Sequence, residues 1–342
     1  MDASKAWKVL SVILLYMVNQ MLCQEMMYEE EWKNFKVKYG KPTSRSEEEE
    51  NYRRSIFIEN LDKVKRHNIL YENGSSTYKM GVNKFSDMTF EEFKKSYLMP
   101  ERQFNDVQNS TYIDHNNITK SRVKSPDRWD WRDAWILPPV KDQSPCMSCW
   151  AFAAVASIEA AWKRNSVSVY VPVNLSEQSL IDCTPGYTCE KGGEVYEAYE
   201  RIIANGGIMS EDDYPYTGKR GASCKYDATK KKAKISGYKK VYANKMNSDE
   251  LADSIFEFGP HAAYIYANDK FEFWEDDIFE EPDCPKPKVT DHAVVIVGYD
   301  KVERYWIIRN SWGTDWGDAG HGKIRMGQNV CNLELEWFYP IV

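Results

Sequence analysis

The sequence predicts an α+β fold with two segregated halves, and three observations predict it. Residues 26–98 are charged, with a set of positions recurring at steps of three and four. Three further helix patterns follow residue 148, each with start or stop signals. Strand-like apolar runs then fill most of the remainder, so helices precede strands. At 342 residues the chain is long enough for about two domains. Its 42% hydrophobic content supplies a core and argues against a disordered chain.

Taken in order, the N-terminus reads as an address. Lys5 and Lys8 precede an apolar run over 9–18. That run is about half of the ~20 residues a spanning helix needs. We read residues 1–23 as a signal peptide cut near Cys23, and expect no membrane span. Glu49, Arg53, Ile56, Phe57, Asn60, Val64 and Asn68 then share one helix face. Asn73-Gly74-Ser75 ends that helix with turn chemistry. Residues 78–87 read as strand and turn, and Thr89 caps a short helix through Tyr97. Residues 100–125 are polar and aperiodic, as in a linker open to nicking. Trp129-Asp130-Trp131-Arg132 opens a compact domain. Ser148 is placed to cap a helix from Cys149 to about Arg164. Residues 195–204 form the next, stopped by Asn205-Gly206-Gly207. Asn247 with Glu250 makes a capping box for a third, ending at Gly259-Pro260. Strands are expected over 262–266, 292–299, 305–309 and 323–326.

Charge excludes one class of partner. Residues 1–125 carry 20 Lys+Arg against 18 Asp+Glu, and residues 126–342 carry 25 against 34. An acidic C-terminal part argues against nucleic acid. The lysines between Lys230 and Lys240 are read as a solvated face. Of eight cysteines, Cys23 leaves with the leader, and seven remain beyond Pro145. Secreted chains pair their cysteines, so an odd count implies one free thiol, which the count alone does not identify. Sequons stand at Asn73, Asn109, Asn117 and Asn174.

Cys149 is the residue with most chemistry in it. It opens a helix, where the positive end of the dipole favours thiolate. His292 lies 143 residues downstream, and Asn310 follows. A thiol, an imidazole and an orienting amide are what nucleophilic catalysis at sulfur requires. Two alternatives fit less well. Cys146-Met147-Ser148-Cys149 has redox-pair spacing, but no βαβ pattern surrounds it. No second Cys/His pair has finger spacing, so no metal or other cofactor is expected. His261 and His321 lack flanking patterns and read as structural.

Residues 126–342 resemble a papain-family cysteine protease of the cathepsin L-like type. The likeness rests on Gln143 with Cys149-Trp150-Ala151-Phe152, on His292-Ala293-Val294 with Gly298-Tyr299, and on Asn310-Ser311-Trp312-Gly313. Residues 26–98 resemble that family's inhibitory propeptide. The helix-face set matches the motif called ERFNIN, with Val64 for the usual Ile, and residues 81–87 match its second motif. The resemblance implies a papain-like two-subdomain fold, helical left and β-barrel-like right, behind a mainly helical propeptide. Its divisions would be signal 1–23, propeptide 24–124 and catalytic domain 125–342.

By the same resemblance, Cys149 attacks the peptide carbonyl and His292 holds and returns the proton. Asn310 fixes the ring and Trp312 shields that hydrogen bond. The Gln143 amide and the Cys149 N–H form the oxyanion hole, where one donor is worth roughly 2.7–4 kcal/mol. The disulfides would be Cys146–Cys189, Cys183–Cys224 and Cys284–Cys331, leaving Cys149 free. Gly192, Gly193, Tyr264, Ala293, Glu336 and Trp312 would line the substrate site. Glu336 at the pocket floor would accept Arg or Lys at the second residue before the cut.

Departures from the family pattern accompany these matches. Met147 stands before Ser148 where Gly is usual and would crowd the adjoining subsite. Ser144-Pro145 follow Gln143. One extra residue separates Cys189 from Gly192-Gly193. They imply narrowed or weakened catalysis, and motivate a second reading as a catalytically idle papain-fold binding protein. A third reading makes the released propeptide an inhibitor in its own right. Expected partners are protein or peptide substrates, the chain's own propeptide and cystatin-type inhibitors, with the enzyme a monomer. The expected destination is secreted or lysosomal.

Overall fold

The computed structural model describes residues 3–42, 46–104, 121–166, 172–282, 284 and 288–342. The Asn109 and Asn117 sequons lie outside them. The chain divides into two compact units, residues 1–66 with 82–89, and residues 67–81 with 90–342.

The first unit is built on α1 (Ala3–Lys38) and the first part of α2 (Glu47–Glu72). α1 runs through Cys23 without a break, but its apolar side chains from Ile13 to Leu22 are exposed, and burial begins at Tyr28. Tyr28, Trp32 and Phe35 pack on Phe57 and Leu61 of α2. The Phe35 and Phe57 rings lie 4.7 Å apart. The polar members of the α2 stripe hold the 82–89 loop. Asn60 donates to the carbonyls of Ser86 (3.1 Å) and Met88 (2.9 Å). Arg53, paired with Glu49 at 2.7 Å, donates to the Asp87 carbonyl at 3.0 Å. Buried carbonyls need donors, and these side chains supply them.

The second unit contains α3 (Phe90–Tyr97), α4 (Cys149–Asn165), α5 (Glu177–Cys183), α6 (Val195–Ala204) and α7 (Ser248–Phe258). Its strands, in chain order, begin with β1 (Tyr78–Met80), β2 (Arg102–Gln103), β3 (Arg128–Asp130), β4 (Ile208–Met209) and β5 (Lys231–Ala233). Next come β6 (Gly237–Val241), β7 (His261–Ile265), β8 (Trp274–Phe279) and β9 (Val289–Thr290). The last are β10 (His292–Asp300), β11 (Tyr305–Arg309), β12 (His321–Arg325) and β13 (Trp337–Ile341).

The large sheet runs β1-β8-β12-β11-β10-β7-β13-β6, with β3 on β10. It is an open path rather than a closed barrel. Every pairing in it is antiparallel except β12 with β8. α4 forms the centre of the core, and Cys149 through Ala161 are all buried. Val195, Ala198, Tyr199 and Ile202 of α6 belong to the same apolar cluster as Ala293, Val295 and Val297 of β10. A helix buried on all sides is apolar nearly all round, as this Ala-rich one is; its buried exceptions are partnered, Glu159 with Lys141 at 2.9 Å and Ser157 with Tyr199 at 2.7 Å. The helical side and the sheet therefore meet along α4, which puts its first residue at their junction.

Expected elements return with small shifts, and two local readings are corrected. Ser148 does not cap α4, because its hydroxyl bonds Tyr216 at 2.8 Å instead. The lysine run is not wholly solvated, since Lys240 on β6 is buried. The Asn247–Glu250 capping box is present with both halves. Cys146–Cys189, Cys183–Cys224 and Cys284–Cys331 are bridged, and Cys149 is free and buried. Asn73 and Asn174 are exposed, and His261 is a buried residue bonded to Gly259 and Ser254. No helix among the described residues is long and apolar enough to cross a membrane.

Candidate active site

Cys149 is the first residue of α4, where backbone N–H groups have no partner within the helix. Its side chain is fully buried and belongs to the same apolar cluster as Met99. That burial pushes the thiol up to about 12, opposed by hydrogen bonding from the Ala293 backbone. His292 opens β10. Its Nε2 lies 2.8 Å from Asn310 Oδ1, so the ring donates there and presents Nδ1 as the basic nitrogen. Among the described residues, Nδ1 has no hydrogen-bond partner. Trp312 stacks on the imidazole at 4.6 Å and 29°. Burial lowers His292 to about 4. Both groups are therefore neutral near pH 7 in this state: a thiol and an imidazole.

Gln143 is fixed from both ends. Its Oε1 accepts from Ser311 Oγ at 2.7 Å, and its backbone N–H donates to the Ser311 carbonyl at 2.8 Å. Its Nε2 donates to Cys146 O at 2.8 Å and to Tyr97 O at 2.9 Å. The second acceptor lies in the segment read as propeptide. A carbonyl from that segment thus occupies the donor that the resemblance assigns to the oxyanion.

The same segment continues along the site. The Met99 N–H donates to Asp291 O at 2.8 Å. A Cβ added at Gly192 would lie 2.7 Å from Met99 Cγ, so the missing side chain there admits the segment. Gly193 has another reason for being glycine. A Cβ there would meet Trp150 at 2.4 Å, so the close approach is to the core. The extra residue after Cys189 is absorbed in a turn in which Lys191 and Gly192 both donate to Thr188 O. β2 then pairs with β9, Arg102 opposite Thr290.

Arg102 ends in a pocket that sequence reading identified only in part. Its Nη1 donates to Glu336 at 2.6 Å, its Nε donates to Glu194 at 3.1 Å, and its guanidinium lies 4.0 Å from the Tyr264 ring centre. Glu336 is buried, and Lys240 Nζ lies 2.6 Å from its other oxygen. Tyr264 is buried too and donates to Glu194 at 2.6 Å. It faces Ala293 across the β7–β10 pair. Arg102, Glu194 and Lys240 were missed. Arg102 sits in a stretch without periodicity, and Lys240 was hidden in a basic run. The alternation of β6 was the available signal, because it puts Tyr238 and Lys240 on one face. Asp291, next to His292, was also passed over; burial raises its carboxyl to about 7.

A free thiol on a helix N-terminus, an imidazole held by an amide and a second amide as carbonyl donor define a cysteine protease of the papain type. Comparison with known proteins agrees. Residues 125–341 match the model described as papain family cysteine protease, and residues 32–93 match the cathepsin propeptide inhibitor domain, I29. The chain belongs to the papain family of cysteine proteases. It is 35% identical over 317 residues to digestive cysteine proteinase 2 of Homarus americanus, covering 91% of this chain and 94% of that one. It is 33% identical over 350 residues to cathepsin L of Sarcophaga peregrina, covering 98% and 99%. Among solved structures, digestive procathepsin L2 proteinase from Tenebrio molitor larval midgut superposes with a TM-score of 0.81. That match has 34% identity and covers 92% of this chain and 100% of that one. The chain is a cathepsin L-like cysteine endopeptidase in precursor form, with an inhibitory propeptide domain. The idle binding protein is not the reading these likenesses support.

Proposed function

We propose that Cys149 is the nucleophile of this endopeptidase and that residues 24 to about 124 are the segment removed to expose it. The carrying observation is the Tyr97 carbonyl on the Gln143 amide, 2.9 Å away. A substrate carbonyl needs that donor as its oxygen gains charge, so peptide and pro-segment cannot share it. Once the segment leaves, the Cys149 thiol gives its proton to His292 Nδ1. The thiolate attacks the peptide carbonyl, and the imidazolium protonates the leaving amine. Water then hydrolyses the thioester. Asn310 holds the ring through Nε2 and leaves Nδ1 as the base, and Trp312 stacks on the imidazole. Gly192, Gly193, Tyr264, Ala293 and Glu336 line the substrate side-chain site.

Residues 1–23 are a removable leader, which the exposed apolar face of α1 before Tyr28 supports. Three disulfides and exposed sequons at Asn73 and Asn174 support entry to the secretory pathway, whether to the exterior or to lysosomes. The released propeptide would inhibit related proteases in trans, and the mature enzyme would act as a monomer open to cystatin-type inhibitors.

Acid protonates carboxylates that pair the segment with the enzyme and so releases it. The test compares acid-treated wild type with acid-treated Cys149→Ser on a peptide substrate, with an epoxide thiol label as second readout. The variant should lose labelling and at least about a thousandfold of turnover. Retained turnover in Cys149→Ser would assign the chemistry elsewhere.

A further inference from the structure

We infer that the subsite now filled by Arg102 selects arginine in substrates, and that Glu194 is the residue that selects it. The inference rests on the protease reading and adds to it a substrate class. The pocket holds two carboxylates, Glu194 and Glu336, beneath a guanidinium whose side chain is 14% exposed. Glu336 has a resident counter-ion: Lys240 Nζ is 2.6 Å from its Oε2, and neither side chain is more than 1% exposed. The floor carboxylate is therefore already neutralised. Glu194 stands at the start of α6, and its partners are Tyr264 OH at 2.6 Å and Arg102 Nε at 3.1 Å. Tyrosine gives it a hydrogen bond but no charge.

Departure of the pro-segment removes Arg102 and leaves one carboxylate more than the cations around it. Glu194, whose side chain is 22% exposed with Arg102 in place, then lacks an ionic partner, and a guanidinium from the next occupant restores one. A leucine would cover Glu194 and leave it only the Tyr264 hydrogen bond. Lysine is the poorer cation. Arg102 reaches two carboxylates with separate N–H groups while lying over an aromatic face, 4.0 Å from the ring centre. A planar fork does both at once and a point ammonium does not. Tyr264 is the platform for that plane. Its own hydroxyl is held by the Val195 N–H at 2.7 Å, so the platform is rigid.

The experiment uses the acid-processed enzyme and peptides that differ only at the residue entering this subsite: Arg, Lys or Leu. Concentrations are fixed by epoxide titration of Cys149, so that each rate refers to folded, competent sites. We expect kcat/KM for Arg to exceed that for Leu by about tenfold or more, with Lys between them. Glu194→Gln should lower the Arg-to-Leu ratio by about tenfold, and Tyr264→Leu should narrow the Arg-to-Lys gap. A wild-type enzyme that titrates fully and prefers Leu overturns the inference and leaves the protease reading standing. So does an Arg-to-Leu ratio unmoved in Glu194→Gln. A processed enzyme that neither titrates nor cleaves any of the three overturns the protease reading itself.

Discussion

At the scale of single residues, the loop that carries Gln143 to Cys149 departs from the family pattern, and one cost can be located. Ser144 adopts φ 52°, the left-handed region where a side chain is strained. Glycine is at home there; a non-glycine residue costs roughly 1–2 kcal/mol. Its N–H donates to Asp142 Oδ1 at 2.8 Å, which helps to hold the conformation. Ser144→Gly should therefore raise stability by about 1 kcal/mol in chemical denaturation, less the entropy that glycine adds to the unfolded chain. A loss of stability would mean that the serine side chain has a positive role. Met147, the other departure, is only partly buried, and its N–H pairs with Cys189 O at 2.9 Å. It packs against the apolar cluster that contains α4.

At the scale of elements, the sequence was most informative where local chemistry decides structure. The α7 cap is an example. Asn247 accepts from the Glu250 N–H at 2.9 Å, and the Glu250 side chain accepts from the Asn247 N–H at 3.1 Å. Asn247→Ala should cost about 1 kcal/mol, measured as a shift in the denaturation midpoint at unchanged slope. Ser148 shows the opposite case. Its residue type says cap, but a tyrosine 68 residues away claims the hydroxyl. Strands β6, β8 and β13 were not legible for a related reason. They alternate imperfectly, and their pairing partners lie far away in sequence, as with Trp337 and Val241. The residues proposed as catalytic, Cys149, His292, Asn310 and Gln143, each stand in a short local pattern. Glu194, Lys240 and Arg102 do not, because a pocket assembled from three distant segments leaves no periodic trace.

At the scale of the whole chain, the boundary read from composition near residue 124 differs from the boundary of compactness. Residues 67–81 and 90–104 share a unit with Cys149, His292 and Asn310, and they contribute β1 to the large sheet and β2 to the pair with β9. Inhibition in this reading is thus continuous with folding: strand pairing, the Tyr97 carbonyl, the Met99 side chain and the Arg102 ion pairs all lie on one run of chain. With that run in place, Cys149 and His292 are both fully buried. Burial favours the uncharged forms of Cys149 and His292, raising one to about 12 and lowering the other to about 4. Between those values neither group carries charge in the intact chain. Removing the segment readmits water and favours the charged pair, so the thiol should fall and the imidazole should rise.

The most direct measurement is the pH–rate profile of Cys149 alkylation, taken on the intact chain and again after acid processing, with chain integrity checked by mass. The intact chain should react slowly from pH 5 to 9 and gain rate only towards the alkaline end, as the raised thiol begins to ionise. The processed chain should react fast already near pH 5, where free cysteine is inert. Two superimposable profiles, or an intact chain that alkylates rapidly at pH 5, would contradict the account.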